Sequence, residues 1–226
     1  MPDPDEIVAQ LKANGDAAGL IGLLEDINSS WSSIYWGRRD AIVRALGEIG
    51  DSRAIDPLVA RLMDHHHESR RIVGDALIES HWQPHDEAER ACLLVAMEQW
   101  QEAADVGIAA LGPLLNAHVG VNEYAERNPC CVNPPFSREF VTALERVVQG
   151  AAPAIGLADL RRLATLCDVE AICDYQSYGG NTSTQHLEWF DLEGVRAAAK
   201  QELRRRGEPG HPVWRPARRG WRFWAR

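Results

Sequence analysis

The sequence has no long apolar run. Its longest stretch without a charged residue, 106–122, has 17 residues and is interrupted by Gly112, Pro113, Asn116 and His118. A membrane-spanning helix needs about 20 mostly apolar residues. The first ten residues are acidic and lack the basic start and apolar centre of a secretory signal. We therefore expect a soluble protein without a membrane span.

The sequence has few cysteines, and their number is odd. A chain of 226 residues, 45% of them hydrophobic, can bury a core without disulfide bonds. An odd count leaves at least one thiol unpaired, so a disulfide framework is not indicated and a reducing cytoplasm fits best. We expect Cys92 and Cys167 to lie in the core, and the adjacent Cys130 and Cys131 have no evident cause for a lowered pKa. The five cysteines are Cys92, Cys130, Cys131, Cys167 and Cys173.

Familiar catalytic motifs are also missing. The sequence has no Gly-rich phosphate loop, GxSxG elbow, HExxH motif or paired CxxC. Residues 64–68, Asp-His-His-His-Glu, hold the ligand types that zinc and iron prefer. We interpret them as a solvated turn, because adjacent side chains diverge and His81 and His85 follow a helix that is about 15 to 18 Å long. The sequence predicts no catalytic residue, no metal site and no cofactor.

Helical periodicity runs through most of the chain. Apolar residues recur with the spacing of one helix face in 42–49, 55–62 and 111–118. No segment alternates apolar and polar residues over a useful length, so no strand is predicted. Two segments interrupt the rhythm, 121–136 and 173–189, and both are predicted to be long loops. The fold class predicted is all-α.

The helical segments are separated by regular turns. Gly50 suits the left-handed position that ends a helix, and Asp56 followed by Pro57 suits the start of the next one. The pair Ala45-Leu46 recurs 31 residues later as Ala76-Leu77. Short helix pairs repeated at this interval cannot bury their apolar faces alone, so we expect them to stack on one another.

The stretch RRDAIVRALGEIGDSRAIDPLVARLMD resembles the HEAT-like repeat first associated with phycobilisome lyases. The resemblance extends over 38–119 and becomes weaker beyond that range. It implies a right-handed α-solenoid of HEAT-like helix pairs over 1–207, with divergent repeats in 120–207. A basic aromatic C-terminal tail, 208–226, follows. The repeat is shared by many binding scaffolds and a few enzymes, so it does not by itself assign a function.

The charge of the chain is distributed unevenly. Residues 204–226 hold eight arginines and one glutamate, so this segment carries +7 and the preceding 203 residues carry −16. The tail combines arginines with aromatic residues, a composition typical of protein hot spots, nucleic-acid stacking and anionic membrane surfaces. It could also fold back on the acidic body. The candidate contacts in the tail are Trp214, Arg218, Arg219, Trp221, Arg222 and Trp224.

These observations favour a non-catalytic scaffold that binds a basic protein or peptide with its concave face. The second helices of such pairs line that face, and Trp31 and Trp36 are candidates for an aromatic anchor. Polar contacts are expected from Arg53, Arg61 and Asp64. One alternative is a lyase-like or chaperoning enzyme that acts on a prosthetic group or modified peptide. The other is nucleic-acid binding through the tail, which the acidic body disfavours.

Overall fold

The computed structural model describes residues 4–28, 36–62, 67–117, 137–166, 168–178 and 182–208, most of which are helical. Within this part, no helix is long and apolar enough to cross a membrane. Short 3-10 turns at Ser52–Ala54, Gly107–Ala110 and Ala152–Ala154 precede the fourth, eighth and tenth helices. The helices are α1 (Pro4–Ala13), α2 (Ala17–Asn28), α3 (Trp36–Ile49), α4 (Ile55–Val59), α5 (His67–Glu79), α6 (Glu87–Ala96), α7 (Trp100–Asp105), α8 (residues 111–117), α9 (Arg138–Ala151), α10 (Leu157–Leu163) and α11 (Glu193–Arg205).

The first six helices are arranged as three stacked pairs. Helix α1 packs against α2 and α3, α3 packs against α5, and α5 packs against α4 and α6. The first helices of consecutive pairs, α1, α3 and α5, therefore lie side by side. This is the stacking expected of units that are too small to shield their own apolar faces.

Helices α3 and α5 approach each other unusually closely. A Cβ atom added at Gly47 would lie 2.7 Å from the Cα atom of Ala76, closer than real Cβ atoms approach a neighbour. Ala45 and Leu46 on α3 and Ala76 and Leu77 on α5 are all buried. The repeated Ala-Leu pair thus marks the contact between two repeats, and the glycine after the first pair allows their backbones to meet.

The turn between α3 and α4 differs slightly from the expectation. Gly50 has a φ of 66° and ends α3 as predicted. The predicted N-cap, Asp56, lies inside the first turn of α4, whose N-cap is Ala54. The capping carboxylate belongs to Asp51, which accepts the backbone N–H of Arg53 at 2.9 Å. Because the 3-10 turn begins the second helical segment early, the cap lies five residues before the predicted one.

Two hydrophobic cores meet at helix α6. The first core contains buried residues from Val8 to Ala96, and the second contains buried residues from Ala91 to Leu203. Ala91 and Val95 of α6 belong to the second core, whereas Ala96 belongs to the first. Helix α6 therefore acts as a shared wall that joins the N-terminal helix pairs to the C-terminal half.

The helical fold class is confirmed, with one local correction. Residues 173–178 and 182–189, part of a predicted loop, lie in two antiparallel strands, β1 (Val169–Tyr178) and β2 (Thr182–Phe190), which form a hairpin. The pairing register shifts between Ile172 and Asp174. This bulge breaks the regular alternation by which a strand is recognised in a sequence. The other predicted loop, 121–136, lies outside the described residues.

Candidate functional site

The turn between α3 and α4 contains Arg53, the first of the predicted contact residues. The carboxylate of Asp51 accepts hydrogen bonds from Nε and Nη2 of Arg53, at 3.0 Å and 2.6 Å. These side-chain bonds, followed by the bond from the backbone N–H of Arg53, lower the pKa of Asp51 to about 2. Arg53 therefore closes the turn, while its side chain stays 65% exposed, where a partner can reach it.

Arg61, the second predicted contact residue, has a structural role as well. Its side chain is half-buried, and its Nη2 donates to the backbone carbonyl of Leu24 in α2 at 3.4 Å. This contact ties the end of the second helix pair to the first pair. Asp64, the third predicted polar contact, lies outside the described residues.

The predicted aromatic and tail contacts fall largely outside the part of the chain that the structure describes. This is true of Trp31 and of the side chain of Trp36, whose backbone begins α3. Their roles therefore stay predictions. The tail residues that also lie outside the described part of the chain are Trp214, Arg218, Arg219, Trp221, Arg222 and Trp224.

The histidines considered as metal ligands are found at helix ends. His81 follows α5 with a φ of 56°. Asp86 caps α6 by accepting the N–H of Glu89 at 2.8 Å, and the carboxylate of Glu89 accepts the N–H of His85 at 2.7 Å. Among the described residues, no group of three or more His, Cys, Asp or Glu is placed to hold a metal ion. Residues 64–66 of the histidine string lie outside that part of the chain.

Cys92 packs against the first core, as predicted. Burial, with smaller contributions from Asp86 and Glu89, raises the pKa of its thiol. The thiolate, which is the nucleophilic form, is therefore disfavoured at this position. Cys173 lies in β1, and Cys130, Cys131 and Cys167 lie outside the described residues.

A buried arginine that the sequence analysis did not single out fixes the base of the hairpin. The side chain of Arg196 in α11 is only 8% exposed. On the β1 side, it donates to the backbone carbonyl of Leu166 at 3.0 Å and to the carboxylate of Asp168 at 2.5 Å. On the β2 side, Asp191 and Glu193 accept its Nη2 at 3.2 Å and 2.9 Å. One guanidinium group thus joins both ends of the hairpin to α11.

The ionisation of this cluster is set by competing effects. Burial alone would raise the pKa of Asp168 and lower the pKa of Arg196. The hydrogen bonds between the two groups outweigh burial, so the pKa of Asp168 lies below its usual value and the pKa of Arg196 lies above its own. Both groups therefore stay charged at neutral pH. The sequence offers a local signal only for the pair of Glu193 and Arg196, which are three residues apart in one helix. The pairing of Arg196 with Asp168 has no such signal, because the two residues are 28 positions apart.

The pairing register divides the hairpin into two faces. Phe190 is buried in the second core, so the face to which it belongs meets the helices at the base. Trp189 pairs with Glu170, and Leu187 pairs with Ile172. Because successive residues of a strand alternate between faces, these pairs fall on the face opposite to Phe190. Residues assigned to that opposite face by register include Glu170, Ile172, Tyr175, Leu187 and Trp189.

Comparison with known proteins identifies one repeat in the chain. The search of curated proteins and the search of solved structures found no match. Residues 38–62 match the family model of the PBS lyase HEAT-like repeat. This range covers all but the first two residues of α3, the turn capped by Asp51 and α4, which together form the second helix pair. Residues 38–62 are therefore similar to one HEAT-like repeat.

Proposed function

We propose that the chain is a non-catalytic scaffold that binds a basic protein or peptide. In this proposal its helix pairs form a right-handed solenoid, and the second helices, α2, α4 and α6, line the concave binding face. The HEAT-like repeat supports an extended array, since such repeats present long curved surfaces rather than an enclosed pocket. The stacking of α1, α3 and α5 supports the same arrangement.

The acidic surface of the second helices carries the proposal. Each of them presents an exposed carboxylate: Glu25 on α2, Asp56 on α4 and Glu87 on α6. Residues 1–117 carry a formal charge of −11, which is most of the −16 carried by residues 1–203. Such a surface favours a basic partner, speeds its association and weakens its binding as salt rises.

Arg53 and Arg61 are expected to contribute in different ways. Arg53 offers an exposed guanidinium held in place by Asp51, so it can pair with a carboxylate or carbonyl of the partner. Arg61 supports the position of α2 and is expected to act through the packing of the two pairs. Trp31, Trp36 and Asp64 remain proposed contacts.

A charge-reversal series tests the proposal. The binding variant replaces the three carboxylates on the second helices with lysine: Glu25→Lys, Asp56→Lys and Glu87→Lys. The control variant makes the same change in charge at exposed positions of the first helices: Glu6→Lys, Asp75→Lys and Glu79→Lys. Each protein is used as bait in lysate from its source, and captured proteins are identified and quantified by mass spectrometry.

We expect one protein to be captured in stoichiometric amount by the wild type and by the control variant. Its recovery should fall at least about 10-fold with the binding variant, because three favourable charge pairs become repulsive. Equal losses with both variants would show that only net charge matters and would reject the concave face. An absorbing small molecule that co-purifies, in place of a protein, would favour the lyase-like alternative.

A further inference from the structure

The C-terminal ends of α10 and α11 lie next to each other and are rich in arginine. The two helices pack together, and Nη2 of Arg161 in α10 lies 2.6 Å from the carboxylate of Glu208, just beyond α11. The backbone N–H of Glu208 donates to the carbonyl of Leu203 at 2.9 Å, which closes the end of α11. We call the arginines at these two helix ends the arginine patch: Arg161, Arg162, Arg204, Arg205 and Arg206.

The arginine patch has more positive charge than its own carboxylates can balance. Glu202 accepts hydrogen bonds from Arg205 at 2.6 Å and from Arg206 at 2.7 Å. Glu208 accepts a hydrogen bond from Arg161. Five arginines and these two carboxylates leave a net charge of +3. All members of the patch except Arg206 are exposed, so this excess charge faces the solvent.

The turn that borders the arginine patch is uncharged. Arg206 donates to the backbone carbonyls of Ala152 and Pro153, both at 2.9 Å, so the patch adjoins the turn before α10. Residues 147–158 contain no charged residue. Asp159, the acidic residue of α10, lies in its first turn, whereas the arginines of this helix lie in its last turn. An anion that approaches the patch from this side therefore meets little repulsion.

The arginine patch curves around the end of α11. Leu203 is buried in the second core, whereas the next two residues, Arg204 and Arg205, are exposed. Successive helix residues lie about 100° apart, so these two side chains leave the helix in different directions. A helix that lies on a membrane needs an exposed apolar face, but the large apolar residues of α11, Val195 and Leu203, are buried. The shape therefore favours a flexible polyanion over a membrane surface.

The sequence that follows the patch indicates which polyanion fits it. Residues 209–226 add five arginines and no acidic residue, and they contain Trp214, Trp221, Phe223 and Trp224. The bases of single-stranded nucleic acids stack on aromatic side chains while their phosphates pair with cations, whereas an acidic protein offers no comparable series of flat rings.

The acidity that disfavours nucleic acids is concentrated elsewhere in the chain. Residues 1–117 carry a formal charge of −11, whereas residues 118–226 carry +2. The helix ends that hold the arginine patch belong to this second part. Repulsion of phosphates by the acidic residues of the chain is therefore weakest where the arginines are.

From these observations we infer that the arginine patch binds the phosphates of a single-stranded nucleic acid. A guanidinium group can donate two parallel hydrogen bonds to one phosphate. The side chains of Arg162 and Arg204 are exposed and form no hydrogen bond or ion pair with the other described residues, so they are available for such contacts. This surface lies on α10 and α11 and does not depend on α2, α4 and α6, which are proposed to bind a basic partner.

Binding of a labelled oligonucleotide to the full-length protein tests this inference. The probe is an oligothymidylate of about 20 nucleotides, followed by fluorescence anisotropy at salt concentrations from about 0.05 to 0.2 M. The patch variant, Arg162→Gln with Arg204→Gln, removes two charges from the patch. The control variant, Arg44→Gln with Arg71→Gln, removes two charges from exposed positions of α3 and α5. A lysine variant, Arg162→Lys with Arg204→Lys, keeps the charge of the patch. Phosphatidylserine vesicles and polyglutamate are tested as alternative ligands.

We expect the wild type, the control variant and the lysine variant to share one salt dependence. Each phosphate contact with a single strand contributes about 0.7 to the slope of log K against log salt concentration, so the slope of the patch variant should be smaller by about 1.4. Its affinity at about 0.1 M salt should fall about 25-fold. Equal losses in the patch and control variants, a lysine variant that behaves like the patch variant, or no binding of the oligonucleotide by the wild type overturns the inference. Equal or tighter binding of the vesicles or of polyglutamate also overturns it, because the partner is then a membrane or an acidic protein.

Discussion

At the scale of single residues, Gly47 shows why the repeat has its particular sequence. Gly47 lies against the backbone of the neighbouring helix α5, and there is no room for a side chain between α3 and α5 at this point. A second glycine in a helix, Gly22 of α2, has open space where a Cβ atom would lie. The two positions therefore form a matched pair for testing the close contact.

We predict that Gly47→Ala destabilises the protein and that Gly22→Ala does not. The added methyl at residue 47 forces the two helices apart, at a cost of about 1 to 3 kcal/mol. At residue 22 the same change removes the entropic cost of glycine in a helix and stabilises by about 0.5 to 1 kcal/mol. Urea unfolding of both variants measures the difference. Equal effects would show that the approach at Gly47 is not tight in solution.

The lowered pKa of Glu202 predicts how the stability of the protein depends on pH. It is buried in α11, and hydrogen bonds from Arg205, then from Arg206, lower its pKa from 4.5 to about 2. Arg206 also donates to the backbone carbonyls of Ala152 and Pro153, so the group fastens α11 to the turn before α10. A depressed carboxyl pKa stabilises the folded state above pH 4.5, and that stabilisation is lost as the pH falls towards 2.

Comparison of the wild type with Glu202→Gln between pH 7 and pH 2 tests this assignment. The variant should be less stable at pH 7, and the difference in unfolding free energy should shrink as the pH falls below 4.5. Denaturant titration at a series of pH values provides the measurement. A difference that stays constant over this range would contradict the assignment of the pKa shift to Glu202.

The structural role of a residue could be predicted from the sequence only where that role depends on residues nearby in the chain. Gly50 was predicted because a left-handed helix end favours glycine. The clamp of Arg196 was not, since Asp168 and Leu166 are about 30 residues away in sequence. The bond from Arg61 to the carbonyl of Leu24 could not be predicted either, because it depends on how two helix pairs stack.

At the scale of elements, the hairpin is the feature that repeat periodicity could not predict. A Gly-Gly-Asn sequence between two segments that each hold β-branched and aromatic residues was the available signal for a hairpin. The bulge between Ile172 and Asp174 hid it by interrupting the alternation. The helices were predictable because each buries one continuous stripe of apolar residues.

We predict that Arg196→Met loosens the hairpin and weakens the second core. The change leaves Asp168, Asp191 and Glu193 close together without their cation, and breaking a buried ion pair costs about 3 kcal/mol. Arg161→Met removes the exposed pair with Glu208 and should cost less than about 1 kcal/mol. Urea unfolding and hydrogen exchange of residues 169–190 compare the two variants. Similar results for both would mean that Arg196 does not hold the hairpin.

At the scale of the whole molecule, the two cores are joined through one helix. Because α6 contributes Ala91 and Val95 to one core and Ala96 to the other, neither core can open without disturbing its neighbour. The charge of the chain is also uneven, since residues 1–117 carry −11 and the remainder carries +2.

We predict that the two cores unfold in a single transition. Leu77→Ala in the first core and Leu144→Ala in the second, both at fully buried positions, should each cost about 2 to 5 kcal/mol. Each should lower the same urea midpoint and speed the exchange of amides in both halves. Circular dichroism and hydrogen exchange provide the readouts. Two separate transitions, each sensitive to one variant, would show that α6 does not couple the cores.

Photo-cross-linking with the captured partner tests the central claim most directly, namely that the second helices form the binding face. A photoreactive amino acid is placed at exposed positions of the second helices or next to them, Gly22, Ala60 and Ala88, and at exposed positions of the first helices, Ala13, Arg44 and Ile78. We predict that the first set cross-links to one and the same protein and that the second set does not. Cross-links from the first helices alone would place the partner on the opposite face and contradict the account.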